Sequence, residues 1–241
     1  MPKLTDFSVL TFDCYGTLID WESGLFEALQ PLLAKVGGQL SRDEVLETFG
    51  RHEHEQEAQT PDMIYSELLT AVHSRLGREW GVETSAEDDR RFGASVPDWP
   101  AFADSPEALR YLKRFYKLVV LSNVDKKSFA GSNARLGVEF DAVYTAEEIG
   151  SYKPDRRNFE FMLERLAERG VAKHHILHTA QSLFHDHAPA NAIGLATAWI
   201  DRRHGQAGGG ATVIPAEIPR LDFRFTSLAE LADAHRREIG G

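Results

Sequence analysis

The strongest constraint on the fold is a long gap in the strand pattern. Between about Asp20 and Ala94 the chain carries only helical signals, whereas short strand-like runs alternate with helices on both sides of that block. Ser8-Val9-Leu10-Thr11-Phe12 is rich in β-formers, ends at Asp13 and turns at Gly16, which predicts a buried strand. Inside the block, Ser41 with Glu44 forms a capping box ahead of Val45, Leu46 and Phe49. Further on, Ile64, Tyr65, Leu68, Leu69, Val72 and Leu76 recur at three- and four-residue steps, one apolar helical stripe. Pro97-Asp98-Trp99-Pro100 reads as a linker, because each proline restricts itself and its predecessor. Strand signals then return at Leu118-Val119-Val120-Leu121, Ala142-Val143-Tyr144, His175-Ile176-Leu177-His178 and from Leu195 to Ile200. Helices are predicted from Ser105-Pro106-Glu107, along the face of Phe159, Met162, Leu163 and Leu166, and from Ser227 with Glu230. Such alternation around an all-helical block predicts an α/β fold with a parallel sheet and an inserted helical domain. The boundaries fall at residues 1–19 and 97–241 for the α/β core and 20–96 for the insertion.

Composition excludes several function classes for this chain of 241 residues. With 37 Asp+Glu against 27 Lys+Arg the formal net charge is −10, which argues against a nucleic-acid partner. Cys14 is the only cysteine, so there is no intramolecular disulfide or Cys-rich zinc site, and a reducing cytoplasmic setting is expected. No signal-peptide core is evident, and no apolar run approaches the roughly 20 residues of a membrane span, so no membrane association is expected. Of the ten histidines, His174, His175 and His178 fall in and near a predicted strand, and His52 and His54 point to different faces of their helix. No metal ligands are expected among them.

In an open parallel sheet, ligands sit just beyond the carboxyl ends of the strands. Those ends carry Asp13, then Ser122-Asn123, then the loop before Lys153, then the stretch from Gln181 to Asp186. A carboxylate, a hydroxyl with an amide, an ammonium and a second carboxylate are suitable parts for nucleophilic catalysis by a carboxylate. Each has an ordinary alternative. Ser122 and Asn123 could cap the next helix, as Asp125 is expected to do, and Asp186 could be a helix N-terminal acid.

Phe12-Asp13-Cys14-Tyr15-Gly16-Thr17-Leu18 resembles the first motif of the haloacid dehalogenase (HAD) superfamily, in its dehalogenase-like form. Leu121-Ser122-Asn123 resembles the second motif, Tyr152-Lys153-Pro154-Asp155 the third, and Gln181-Ser182 through Asp186 the fourth. The resemblance spans nearly the whole chain and implies a Rossmann-like core with a helical cap. Phosphatases of that superfamily carry a second aspartate two positions after the nucleophile; here it is Tyr15. A phenol with an ordinary pKa near ~10 is a poor general acid. Their Mg²⁺ site also relies on an acidic fourth motif, where Ala180-Gln181 replaces the usual Gly-Asp pair and leaves Asp186. Both departures fit the L-2-haloacid dehalogenase branch, which implies hydrolysis without metal or cofactor; Mg²⁺ would matter only for the phosphatase alternative.

The resemblance implies that Asp13 displaces halide from a small anionic 2-haloacid, forming an ester that water then hydrolyses. Lys153 would hold Asp13 ionised, Asp186 would position or deprotonate water, and Thr17 would support the nucleophile turn. Ser122 and Asn123 would bind the substrate carboxylate, with Tyr15 and His185 lining the pocket. Arg51 is the implied halide-binding cation from the cap. Trp99 would close the pocket or pack between domains. Phe159, Leu183 and His185 depart from the residues usual in dehalogenases at those places. A Mg-dependent small-molecule phosphatase and a catalytically lapsed HAD-like binding protein are the alternatives, and the resemblance also implies a possible homodimer.

Overall fold

The computed structural model describes residues 2–206 and 208–240. Its strands are β1 (Val9–Phe12), β2 (Lys117–Ser122), β3 (Ala142–Thr145), β4 (Ile176–Ala180), β5 (Ala196–Ile200) and β6 (Phe223–Phe225). They form one sheet in the order β3-β2-β1-β4-β5-β6, with every neighbouring pair parallel. All four residues of β1 are buried, as a strand covered on both faces requires. The strands predicted from sequence form, with ends shifted by a residue or two. β6 was not foreseen, because three residues in a proline-bearing stretch give no usable periodicity.

Between β1 and β2 lie α1 (Trp21–Leu33), α2 (Arg42–Gln59), α3 (Tyr65–Glu79) and α4 (Ala86–Gly93), and no strand interrupts them. Side-chain caps start three of these helices: Asp20 accepts from Ser23 N, Ser41 from Glu44 N and Ser85 from Asp88 N. The capping box predicted at Ser41 has both arms in place. The apolar stripe of α3 meets Phe49 of α2 and Phe92 of α4 in a cluster that continues into the α/β core.

The insertion leaves and rejoins the core at one place. Ile19 bridges Tyr15 on one side and Ala101 on the other, so the outgoing and returning chains run together. Trp99 is 2% exposed beneath this junction, with Nε1 donating to Ser95 Oγ at 3.2 Å. A Cβ on Gly24 would lie 2.4 Å from its Cγ, so only glycine lets α1 pass over the indole.

The remaining helices are α5 (Ser105–Leu112), α6 (Lys126–Leu136), α7 (Ala146–Ile149), α8 (Arg156–Glu168), α9 (Ala188–Ala192) and α10 (Leu228–Gly240). Asp125 caps α6 as expected, accepting from Ser128 N at 2.8 Å. A π-helical turn at Leu183–His187 follows β4 and aims its side chains at the end of β1. Among the described residues, no helix is long and apolar enough to cross a membrane.

Candidate active site

β1 delivers Asp13 to the carboxyl edge of the sheet, where the chain turns sharply. Leu18 N and Ile19 N both donate to Cys14 O, at 2.7 and 2.9 Å, and Gly16 takes φ +90°, a left-handed conformation that disfavours any other residue. The turn brings Thr17 back onto the carboxylate. Thr17 Oγ1 donates to Asp13 Oδ2 at 2.6 Å and accepts from Gln181 N at 2.9 Å.

Lys153, 2% exposed, occupies the centre of the site. Its Nζ donates to Asp13 Oδ1 at 2.9 Å, to Asp186 Oδ1 at 2.7 Å and to Leu121 O at 3.0 Å. An ammonium has three hydrogens, so the group is fully satisfied. Asn123 fixes its backbone from both ends: Oδ1 accepts from Lys153 N at 2.7 Å, and Nδ2 donates to Lys153 O at 3.2 Å. On the far side of Asp186, Oδ1 also meets His178 Nε2 at 3.0 Å, and His178 Nδ1 pairs with Thr11 Oγ1 at 2.9 Å. Two buried oxygens, Ser122 Oγ and Asp186 Oδ2, have no hydrogen-bond partner.

These contacts separate the two aspartates. Burial pushes the Asp13 carboxyl above its ordinary value, with Lys153 pulling the other way. Burial also acts on Asp186, but there Lys153 and then His178 outweigh it and hold the carboxyl well below the usual range. The lysine thus acts on Asp13 in the expected sense without overcoming desolvation. Burial lowers His185 to about 4, so its ring is neutral near pH 7.

Asp13, Tyr15, Ser122, Asn123, Lys153, His185 and Asp186 all line one small cavity of about 60 Å³, as the sequence predicts. Thr17 is buried directly behind it. Two expectations are corrected. Arg51 does not reach the cavity: its guanidinium lies on the cap surface, donating to both oxygens of Glu79 at 2.7 Å. Position 51 is one residue off the buried stripe of α2, and one residue rotates a helical side chain by about 100°. Trp99 packs under the domain junction and is no part of the cavity wall. Phe159 is buried against the His178 ring, with centroids 5.2 Å apart.

Sequence reasoning missed the acids that the cap supplies. Glu53 and Glu57 of α2 face Asp13 across the cavity. Glu53 Oε1 accepts from the Tyr65 hydroxyl at 2.5 Å, and Glu57 Oε1 accepts from Asn123 Nδ2 at 3.1 Å. Burial pushes Glu53 up to about 7 and Glu57 well above its ordinary value. A signal was present in the spacing. The buried stripe Val45, Leu46, Phe49 continues in step as His52, Glu53, Gln56 and Glu57, a core-facing pattern in polar residues.

The residues do not fit a Mg²⁺ held between Asp13 and Asp186. The inner oxygens of both carboxylates share the Lys153 ammonium, and Gln181 Oε1 accepts from Thr212 Oγ1 at 3.3 Å. His54 and His185, far apart in sequence, converge with Glu57, a grouping that spacing along the chain does not show.

Several known proteins are similar to this chain. A family model of haloacid dehalogenase-like hydrolases matches residues 7–179. An (S)-2-haloacid dehalogenase of Pseudomonas putida is 26% identical over 208 residues, covering 81% of this chain and 85% of the relative. Another, from Pseudomonas sp. (strain YL), is 29% identical over 204 residues, covering 80% and 82%. The L-2-haloacid dehalogenase of Xanthobacter autotrophicus, solved with chloropropionic acid covalently bound, superposes with a TM-score of 0.77 at 18% identity, covering 95% of this chain and 98% of that one. With its parallel sheet, helical cap and the sharp turn after Asp13 accounted for, the chain belongs to the haloacid dehalogenase-like hydrolases.

Proposed function

We propose that the protein hydrolyses short 2-haloacids to 2-hydroxyacids through an ester on Asp13. The observation that carries this reading is the pairing of Asp13 with Lys153 and Thr17 on the cavity floor while Tyr15 is withdrawn from acid–base work. The Tyr15 hydroxyl is hydrogen-bonded to Ser132 Oγ at 2.7 Å, and burial pushes its pKa well above the ordinary value. A phosphatase of this fold would need a carboxylic acid there. The names of the relatives, (S)-2-haloacid dehalogenases, support the same chemistry.

In this reaction an Asp13 carboxylate oxygen attacks C2 of the substrate as the carbon–halogen bond breaks, and halide departs with the bonding electrons. Lys153 stabilises the anionic nucleophile and Thr17 fixes its plane. Water then adds to the Asp13 carbonyl carbon; the alkoxide of the 2-hydroxyacid leaves and takes one of the water's protons, and the other is released to solvent as Asp13 returns to the carboxylate. Asp186 Oδ2, buried and without a partner, accepts a hydrogen bond from that water; its depressed pKa suits it to positioning rather than to deprotonation. Ser122 Oγ is free to donate to the substrate carboxylate. No step runs through a metal, and Mg²⁺ is not required.

The test is halide release from 2-chloropropionate and fluoroacetate without added Mg²⁺, together with intact-mass analysis during turnover. Release that disappears in Asp13→Asn, with a transient mass increase on the Asp13 peptide, is the expected result. Phosphate release from phosphomonoesters that depends on Mg²⁺ would replace this reading with that of a phosphatase. A folded protein that turns over neither substrate would identify a binding protein.

A further inference from the structure

The cavity holds four carboxyl groups, Asp13, Glu53, Glu57 and Asp186, and its one cationic side chain is Lys153. No arginine faces it. An anionic substrate would therefore meet an acidic chamber whose only ammonium is already saturated by protein oxygens. Beside this chamber, His54 of α2, Glu57 one helical turn later, and His185 of the π-helical turn approach one another across the cap–core boundary. One ring nitrogen from each histidine and one Glu57 oxygen lie within 4.8 Å of each other.

We propose that His54, Glu57 and His185 form a binding site for one Zn²⁺-class dication that clasps the cap to the core beside the nucleophile. Two imidazoles and one carboxylate are a ligand set for Zn²⁺ and its first-row neighbours rather than for Mg²⁺ or Ca²⁺, which favour oxygen. Three protein ligands leave at least one coordination position for water or a substrate oxygen.

Independent features of the same residues point to a ligand. Two buried ring nitrogens, Nδ1 of His54 and Nε2 of His185, have no hydrogen-bond partner. Leaving such groups unpaired is costly unless something binds them. His185 is oriented from behind: its Nδ1 lies 3.2 Å from Ser182 Oγ, which leaves Nε2 as the unpaired ring nitrogen. Glu57 is held likewise by Asn123 Nδ2 at 3.1 Å. Outer contacts of this kind fix metal ligands in place. The three donor atoms lie within 4.8 Å of one another, against ~3.4 Å between the ligands of a tetrahedral zinc with bonds near ~2.1 Å.

Bound there, the dication would offset the excess of carboxyl groups and give an anionic substrate the positive charge that Arg51 does not supply. That role rests on the proposed dehalogenase reading; the site itself does not.

The experiment uses the whole chain, stripped with a chelator and dialysed, with no substrate present. Titration with Zn²⁺ is expected to show one equivalent bound, and Co²⁺ to give the visible absorption of a site with nitrogen ligands. His54→Ala and His185→Ala should each weaken Zn²⁺ binding by about tenfold or more, while His174→Ala, at the surface pair His174–His175, leaves it unchanged. Absence of both Zn²⁺ binding and a Co²⁺ spectrum in the unmutated protein would overturn the proposal, and so would binding that persists in the His54→Ala/His185→Ala double variant. Because no turnover is read, these results stand apart from the outcome of the halide assay.

Discussion

Lys153 places all three ammonium hydrogens inside the protein, on Asp13, Asp186 and the Leu121 carbonyl. Removing the charge leaves two buried carboxylates facing each other without a counter-ion. Lys153→Met is expected to cost about 3–5 kcal/mol in urea denaturation, the range for breaking a buried ion pair. Adding Asp186→Asn should restore part of that loss, because the two residues share one network and their effects do not add. At this scale the sequence made Asp13, Lys153 and Asp186 legible, since each follows a strand end and a strand end fixes where a side chain emerges. Glu53, Glu57 and His54 were not legible, because a charged helix face reads as solvated until the position of the cap is known. His178 is a related case. It lies inside a strand, and only the register of β4 against β1 brings it between Thr11 and Asp186.

Among the elements, α1 is closely constrained by what lies beneath it. Gly24 passes over Trp99 with no room for a methyl group. Gly24→Ala improves intrinsic helix propensity yet is expected to destabilise the protein by about 1–3 kcal/mol through overpacking, read as a lower urea midpoint. A smaller loss from Gly24→Ala in a Trp99→Gly background than in the native protein would identify the Trp99 side chain as the obstacle. Strand–helix alternation made most of the sheet legible, because runs of three to six strand-forming residues between turns leave few alternatives. The three-residue β6 escaped notice, and it is recruited by an existing edge rather than by its own pattern: Trp199 and Ile200 offer the ladder that Arg224 and Phe225 join.

Across the whole molecule, the last helix secures the first residues. Glu238 of α10 accepts from Leu4 N and Thr5 N, both at 3.1 Å, and His235, 2% exposed, lies under it with Nδ1 3.0 Å from the Tyr111 hydroxyl. Tyr116 and Phe115 cover the same ring, with centroids 5.0 and 4.8 Å away. Burial lowers the His235 pKa from its ordinary 6.5, with the Glu238 carboxylate opposing. A lowered folded-state value means the unfolded chain takes the proton first, so the contribution is intact above about 6.5 and is lost as pH falls toward the folded value. The melting temperature of the native protein should therefore drop relative to His235→Phe as pH is lowered from 7 to 5, and equal slopes would remove His235 from the account.

The central position of β1 has a consequence for how the chain is made. Both of its neighbours are encoded much later, so when residues 9–12 leave the ribosome neither partner exists. At about 5–20 residues per second, roughly ten to thirty seconds pass before β4 is synthesised. The four cap helices, contiguous and complete by Gly93, emerge during that wait with their mutual contacts already available. Synthesis thus favours a cap that folds first and an α/β core that closes around its own opening strand last.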